Sequence, residues 1–187
     1  MAMPQVKHRW TVAERDALPD DGNRYEVIDG ELFVTPAPAW RHQAAVSVLN
    51  TVLADYLQRQ RVGVVLPAPA DVVFADDRGV QPDLFVVPGI DGRRPEHFDE
   101  VRRLLLAVEI LSPSTARADR VAKRRLYRTE QVPEYWIVDL DARTFERTTP
   151  ADERPEILVD RLVWQPEGAT EPLVLGVPGY FAAVLGG

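Results

Sequence analysis

The sequence predicts an α/β (α+β) fold, a mixed β-sheet flanked by helices with additional antiparallel hairpins, on three observations. Leu104 to Val108 is an unbroken apolar run that ends in Glu109, Ile110 and Leu111, as expected of a strand covered on both faces. The cluster Ser112-Pro113-Ser114-Thr115 stops that strand and supplies hydroxyls to a helix-like segment reaching Tyr127. Around this pair stand a hairpin, a long amphipathic helix and several short β-branched runs, an order that builds a mixed sheet.

From the N-terminus, Thr11 followed three residues later by Glu14 opens a short capped helix, which Pro19-Asp20-Asp21-Gly22 ends. Tyr25 to Ile28 and Glu31 to Val34 flank Asp29-Gly30, a dipeptide suited to a two-residue turn with positive φ. Ala45, Val48, Leu49, Val52, Leu53 and Tyr56 mark one face of a long helix. Val62 to Leu66 and Asp71 to Phe74 read as short strands, and Asp76-Asp77-Arg78-Gly79 as a turn. Pro82 cannot donate to a central ladder, so it belongs at the entry of the strand Leu84 to Val87, with Asp83 beside it. The polar loop Pro88 to Val101, with Gly89 and Gly92, is a candidate for mobility.

In the helix after the central strand, Ala118, Val121, Ala122 and Leu126 would pack inward. Asp119, Lys123 and Tyr127 would then stand one above another on the adjoining stripe. Val132-Pro133 closes that element. Glu134 to Asp139 is a further strand turning at Asp141-Ala142 into Thr144 to Thr148, and the tail offers short strands near Ile157 to Val159, Leu162 to Trp164 and Pro172 to Leu175.

A chain of 187 residues suits one domain spanning 1–187, with a core from about 24 to 140 and C-terminal strands over 141–187. The absence of cysteine excludes disulfides, a thiol nucleophile and a thiolate zinc site, so any metal must use carboxylate oxygen or histidine. No stretch approaches the roughly 18 apolar residues of a membrane span. The N-terminus MAMPQVKHRW lacks the apolar core of a signal peptide, and the expected location is the cytoplasm. A net charge of -7 argues against non-specific coating of nucleic acid. Even so, Arg117, Arg120, Lys123, Arg124, Arg125 and Arg128 face the single acid Asp119, either as a solvated helix face or as a phosphate contact.

Asp83 and Glu109, two acids at strand ends, are the sharpest chemical feature. Hard divalent cations such as magnesium take one or two carboxylates together with carbonyl, water and phosphate oxygens. The bland alternative for such acids is a turn or a surface ion pair. Lys123 is either an i,i+4 partner of Asp119 or an ammonium poised to stabilise charge on phosphate. His42, near the start of the long helix, is either a cap or surface residue or a group in reach of substrate. Tyr127 either hydrogen-bonds at the site or simply packs.

The succession Glu26-Val27-Ile28-Asp29-Gly30-Glu31, His42, Pro82-Asp83, VEILSPST from Val108 to Thr115, Asp119, Lys123, Tyr127 and VPEYWIVD from Val132 to Asp139 resembles the Uma-type restriction-endonuclease-like proteins. These form a branch of the PD-(D/E)XK nuclease superfamily. The resemblance implies a restriction-endonuclease-like mixed sheet and a site that binds Mg2+ or Mn2+ to hydrolyse phosphodiesters, with DNA as partner and a homodimer as an option. It implies Asp83 and Glu109 as metal ligands, the Ile110 backbone carbonyl as a third, and Glu31, with Glu26 as the lesser alternative, as the acid from the N-terminal region. The family's lysine two residues beyond the second acid is Leu111 here, and the resemblance places the catalytic ammonium on Lys123 instead. Gln131 stands where a glycine is expected before VPEYW. Two other readings remain at this point: a catalytically silent nucleic-acid-binding or regulatory protein on the same fold, and a metal-independent hydrolase using Asp83 and Glu109 as acid and base.

Overall fold

The computed structural model describes residues 8–89, 97, 101 and 103–186, so the expectation for the loop Pro88 to Val101 falls largely outside the described residues. Helix α1 (Val12–Asp16) carries the capping box read from Thr11 and Glu14. Strands β1 (Arg24–Ile28) and β2 (Glu31–Thr35) form the expected hairpin, closing with Ile28 opposite Glu31. The turn works because Asp29 and Gly30 both take positive φ, 52° and 79°, which matches the twist of the flanking strands. Helix α2 (Trp40–Gln60) follows, then β3 (Gly63–Pro67), β4 (Val72–Ala75), β5 (Arg78–Val80), β6 (Leu84–Pro88) and β7 (Leu106–Ile110). A π-helical segment (Ala118–Lys123) runs into α3 (Arg124–Thr129). Strands β8 (Glu134–Asp139), β9 (Thr144–Thr148), β10 (Glu156–Leu158), β11 (Arg161–Trp164) and β12 (Leu173–Gly176) lead to α4 (Val177–Leu185).

Six strands make the central sheet in the order β10-β9-β8-β7-β6-β3, four make a smaller one in the order β2-β1-β5-β4, and β11 pairs with β12. Among the described residues only β7 and β8 run parallel within the central sheet; its other pairs are antiparallel. The sheet is therefore mixed, as the sequence predicts. Strand alternation divides its side chains between two cores. Leu84, Val86, Leu106, Val108, Trp136 and Val138 enter the core beneath α2, α4 and the β11–β12 hairpin. Phe85, Val87, Ala107, Tyr135 and Ile137 enter the other, with Ile28, Val72 and Val80 of the small sheet and Leu126 and Tyr127 of α3. The first of these cores is the larger, and the second is the one that borders charged chemistry.

Three expectations need correction. The turn at Asp76 to Gly79 is confined to Asp76-Asp77, because Arg78 and Gly79 pair in β5. In the helical segment the packing is turned round: Val121 is 56% exposed, while Asp119, Lys123 and Tyr127 are buried with Leu126. A π-helix holds more residues per turn than an α-helix, so the 3.6-residue spacing misassigned the stripe. Burying charge there is tolerable because an ion cluster receives it. The span 141–187, expected to hold strands, ends instead in helix α4, with Pro178 in its first turn. Proline is acceptable in a first helical turn, and Tyr180 anchors the helix by donating to the Ala45 carbonyl at 3.0 Å.

Candidate active site

The two carboxylates meet because of strand register. In the β6–β7 pair Leu84 faces Val108 and Phe85 faces Ala107. One step beyond, the same antiparallel register sets Asp83 opposite Glu109. Alternation sends both toward the face covered by the small sheet and α3. Past the last ladder pair the Ile110 N–H donates to Asp83 Oδ2 at 2.8 Å. A strand residue's N–H and C=O leave on the same side, so the Ile110 carbonyl lies on the Asp83 side as well.

Side chains from two other elements complete the Asp83 environment. Arg24, at the start of β1, donates through Nη2 to Asp83 Oδ1 at 2.9 Å and through Nη1 to the Gln81 carbonyl at 2.9 Å. His42 Nε2, in the first turn of α2, lies 3.0 Å from Asp83 Oδ2. Burial pushes the Asp83 carboxyl up, but His42, Arg24 and the Ile110 amide together outweigh it and hold the pKa at about 2. Asp83 is thus a fixed anion. The Arg24 guanidinium is raised in turn: burial works against its charge, and Asp83, Glu109 and Glu26 more than offset it.

Lys123 organises the other half. Its Nζ donates to Glu109 Oε1 at 2.8 Å, lies 2.9 Å from Glu26 Oε2 and 3.7 Å from Asp119 Oδ1, and is 2% exposed. Burial opposes the ammonium, yet Glu109, Glu26 and Asp119 raise its pKa, so it stays charged. The Tyr127 hydroxyl donates to Glu109 Oε1 at 3.3 Å, and that of Tyr135 to the Asp119 carbonyl at 3.1 Å. Burial, with Asp83, Asp119 and Glu26 nearby, raises Glu109 well above the usual carboxylate range against the pull of Lys123. Glu26 accepts the Gln81 amide on Oε1 at 2.8 Å, which ties the β5–β6 crossing to β1.

Asp119 is the least satisfied member. Neither carboxylate oxygen has a hydrogen-bond partner among the described residues. Burial lifts its pKa to about 6 although Lys123 pulls the other way. An acid raised in the folded state holds its proton while the unfolded chain has released it, so its contribution to stability is lost as pH rises from about 4 through 6. The shift corresponds to roughly 3 kcal/mol. Urea unfolding of wild type and Asp119→Asn at pH 4 and pH 7 is expected to show the variant gaining by about that amount relative to wild type. A pH-independent difference would mean that Asp119 carries no such burden.

Arg24, Asp83, Glu109 and Lys123 line the floor of a cleft of about 760 Å3, while Glu26, Asp119, Tyr127 and Tyr135 are buried and are not among its lining residues. One wall is the segment Thr35 to Ala39 with Arg41 and His42, and the other is Leu111 to Ala116; Arg120 and Asp139 stand at the far end. Among the described residues no group of three or more His, Cys, Asp or Glu side chains is arranged to hold a metal ion. The donor set still suits magnesium or manganese, because Mg2+ commonly uses one or two carboxylates and takes the remaining oxygens from water and substrate phosphate. Asp83, Glu109 and the Ile110 carbonyl are the groups that would hold it.

Of the residues singled out in the sequence, Asp83, Glu109, Lys123, Asp119, Tyr127 and His42 come together here. Glu26 joins them and Glu31 does not. Glu31 is exposed beside the hairpin turn, whereas Glu26 shares a face with the buried Ile28 and lies 2.9 Å from Lys123 Nζ. Arg24 was missed. Its signal was the same alternation, two residues before Glu26.

A family model named Uma2 and described as "Putative restriction endonuclease" matches residues 12–184. No curated protein matches the chain. Among solved structures, one described as a putative nuclease belonging to DUF820 from Anabaena variabilis superposes with a TM-score of 0.76 at 25% sequence identity, covering 93% of this chain and 98% of that one. Among the described residues no helix is long and apolar enough to cross a membrane.

Proposed function

Because the chain belongs to the Uma2 family, we propose that it is a metal-dependent endonuclease that hydrolyses phosphodiester bonds in DNA. The observation that carries this reading is the pairing of Asp83 and Glu109 across two strand ends, with the Lys123 ammonium 2.8 Å from Glu109. A magnesium or manganese ion held by Asp83, Glu109 and the Ile110 carbonyl would polarise the phosphoryl oxygen and make water a competent nucleophile near neutral pH.

The chain's own groups do the rest. Arg24 and His42 keep Asp83 ionised and oriented, as outer partners of a metal ligand do. Lys123 holds the other carboxylate, Glu109, at 2.8 Å, where its ammonium can orient the attacking water and stabilise charge growing on the phosphoryl oxygens. The hydroxyls of Ser112, Ser114 and Thr115, which line the cleft and bond to one another, supply neutral donors for a phosphodiester. Burial of the floor excludes bulk water, so each of these interactions is stronger than it would be at a surface.

The test is cleavage of mixed single- and double-stranded DNA by wild type in magnesium, in manganese and in EDTA, with calorimetric titration of each ion on the same samples. Ion binding with cleavage that EDTA abolishes is the expected result. Hydrolysis that persists in EDTA would replace this reading with the metal-free acid–base pair, for which a raised Glu109 beside a lowered Asp83 is the right asymmetry. Nucleic-acid binding with no ion uptake and no cleavage would leave a binding protein on a nuclease fold.

A further inference from the structure

The depth of the floor and one exposed ring bear on which form of nucleic acid enters. Asp83 and Glu109 are 3% and 2% exposed, so a phosphate must be carried well below the rim to reach them. An intact duplex holds its phosphates on the outside of a rod that is stiff over about 150 base pairs. A single strand bends freely and can be drawn in one phosphate at a time. Charge points the same way: the net charge of -7 repels a duplex, which carries twice the line density of phosphates of a single strand.

Trp40, the first residue of α2, does not itself line the cleft but stands between Ala39 and Arg41, both of which do. Trp40 is 87% exposed, while the other exposed large hydrophobics among the described residues are valines and an isoleucine at 37% to 56%. Burying Trp40 against α2's own surroundings would have been the cheaper arrangement for so large an apolar ring. Its neighbour Arg41 is a cation within the first turn of the helix, where no acid is present. A flat apolar ring beside a guanidinium is the pairing that single-strand binding surfaces use, the ring for a base and the cation for the adjoining phosphate. Pro36 to Ala39, the residues leading into Trp40, add apolar surface to the cleft.

We infer that Trp40 is a stacking platform for an unpaired nucleobase next to the phosphate entering the cleft, with Arg41 on the neighbouring phosphate, and that single-stranded DNA is the preferred substrate form. The inference rests on the nuclease reading for the identity of the strand, and it concerns a subsite outside the carboxylate cluster. A one-strand substrate needs a single site, so the homodimer expected for cutting paired strands is not required.

The test is binding without turnover. A fluorescein-labelled mixed-sequence oligonucleotide, as a single strand and as a duplex with its complement, is titrated in EDTA with wild type, Trp40→Phe and Trp40→Ala, and thermal melts confirm that both variants fold. Wild type is expected to bind the single strand about tenfold more tightly than the duplex. Trp40→Ala loses about tenfold on the single strand alone, the worth of one base–aromatic stack, and Trp40→Phe keeps most of the affinity. Tryptophan emission quenched by oligo-dT in wild type but not in Trp40→Phe would locate the contact. Equal or tighter duplex binding, or unchanged affinity in Trp40→Ala, overturns the inference. A protein that stacks a single strand through Trp40 yet never cleaves in magnesium or manganese keeps the subsite and loses the nuclease reading; one that cuts duplex with Trp40→Ala unimpaired does the opposite.

Discussion

Asp83→Asn is expected to lower DNA cleavage by more than about 100-fold and to abolish the calorimetric signal for magnesium, since even losing an outer partner of a metal ligand commonly costs 10- to 100-fold. The substitution keeps the shape of the side chain, and its amide oxygen can still accept from Ile110 or Arg24. It removes the anion that Arg24 and His42 surround at 2.9 and 3.0 Å. Two consequences separate a chemical role from a structural one. Circular dichroism and the urea midpoint at pH 7 should show a folded protein, less stable by about 2 kcal/mol, the worth of a carboxyl held at about 2. Because a lowered carboxyl contributes stability above its unfolded pKa and loses it as pH falls through the folded value, this difference should shrink between about pH 4 and pH 2. Wild-type cleavage by the variant would remove Asp83 from the chemistry.

Lys123→Met is the second large effect, and it acts on stability and on rate together. With the ammonium gone, Glu26, Glu109 and Asp119 remain buried with no counter-charge on that side, and breaking a buried ion pair in this way costs about 3–5 kcal/mol. Cleavage is expected to fall by about 10²–10³-fold where the variant folds, as on removing a preorganised donor from a developing anion. A variant too unstable to assay would leave the two effects mixed. Glu26→Gln, Lys123→Met and the double variant resolve them: the double should be more stable than the sum of the singles predicts, by about 1–3 kcal/mol for residues in one ion network, while its cleavage stays as low as that of Lys123→Met. Recovery of cleavage in the double variant would make Lys123 a structural counter-ion only.

Much of this was legible before the fold. Hairpin, long helix and both parallel strands followed from turn dipeptides and apolar runs, which are local signals. Asp83 and Glu109 were legible because each sits at the mouth of an apolar strand, where a carboxylate has no packing reason to be. Contacts that depend on how separate pieces dock were harder. Nothing in the sequence near Arg24 says that β1 will lie over the end of β6, and the choice of Glu26 over Glu31 depends on which strand of the hairpin faces the sheet. The helical stripe was misassigned because Val121 is apolar and Lys123 is not, and polarity predicts exposure unless a buried charge cluster is waiting. Gln131 stands where a glycine is expected, and its φ of 54° explains why glycine would be at ease there. Helix α4 stands where strands were expected, because Pro178-Gly179 early in the segment gives no local helix signal.

The crossing from β5 to β6 has a consequence for how long the site lasts. Arg24 and Glu26 belong to the four-stranded sheet, Glu109 to the six-stranded one, and Asp83 to the short link between them. The proposed site is therefore a seam rather than a pocket cut into one slab. Its lifetime is set by the weaker of the two sheets and by the grip between them, since proteins open locally in units well below their global free energy of unfolding. A molecule whose small sheet has swung away could keep its central sheet, its helices and most of its spectroscopic signature while holding half a site on each side of the gap. Warming such a molecule would take the proposed site apart before the central sheet melted, and cooling would rebuild it without refolding.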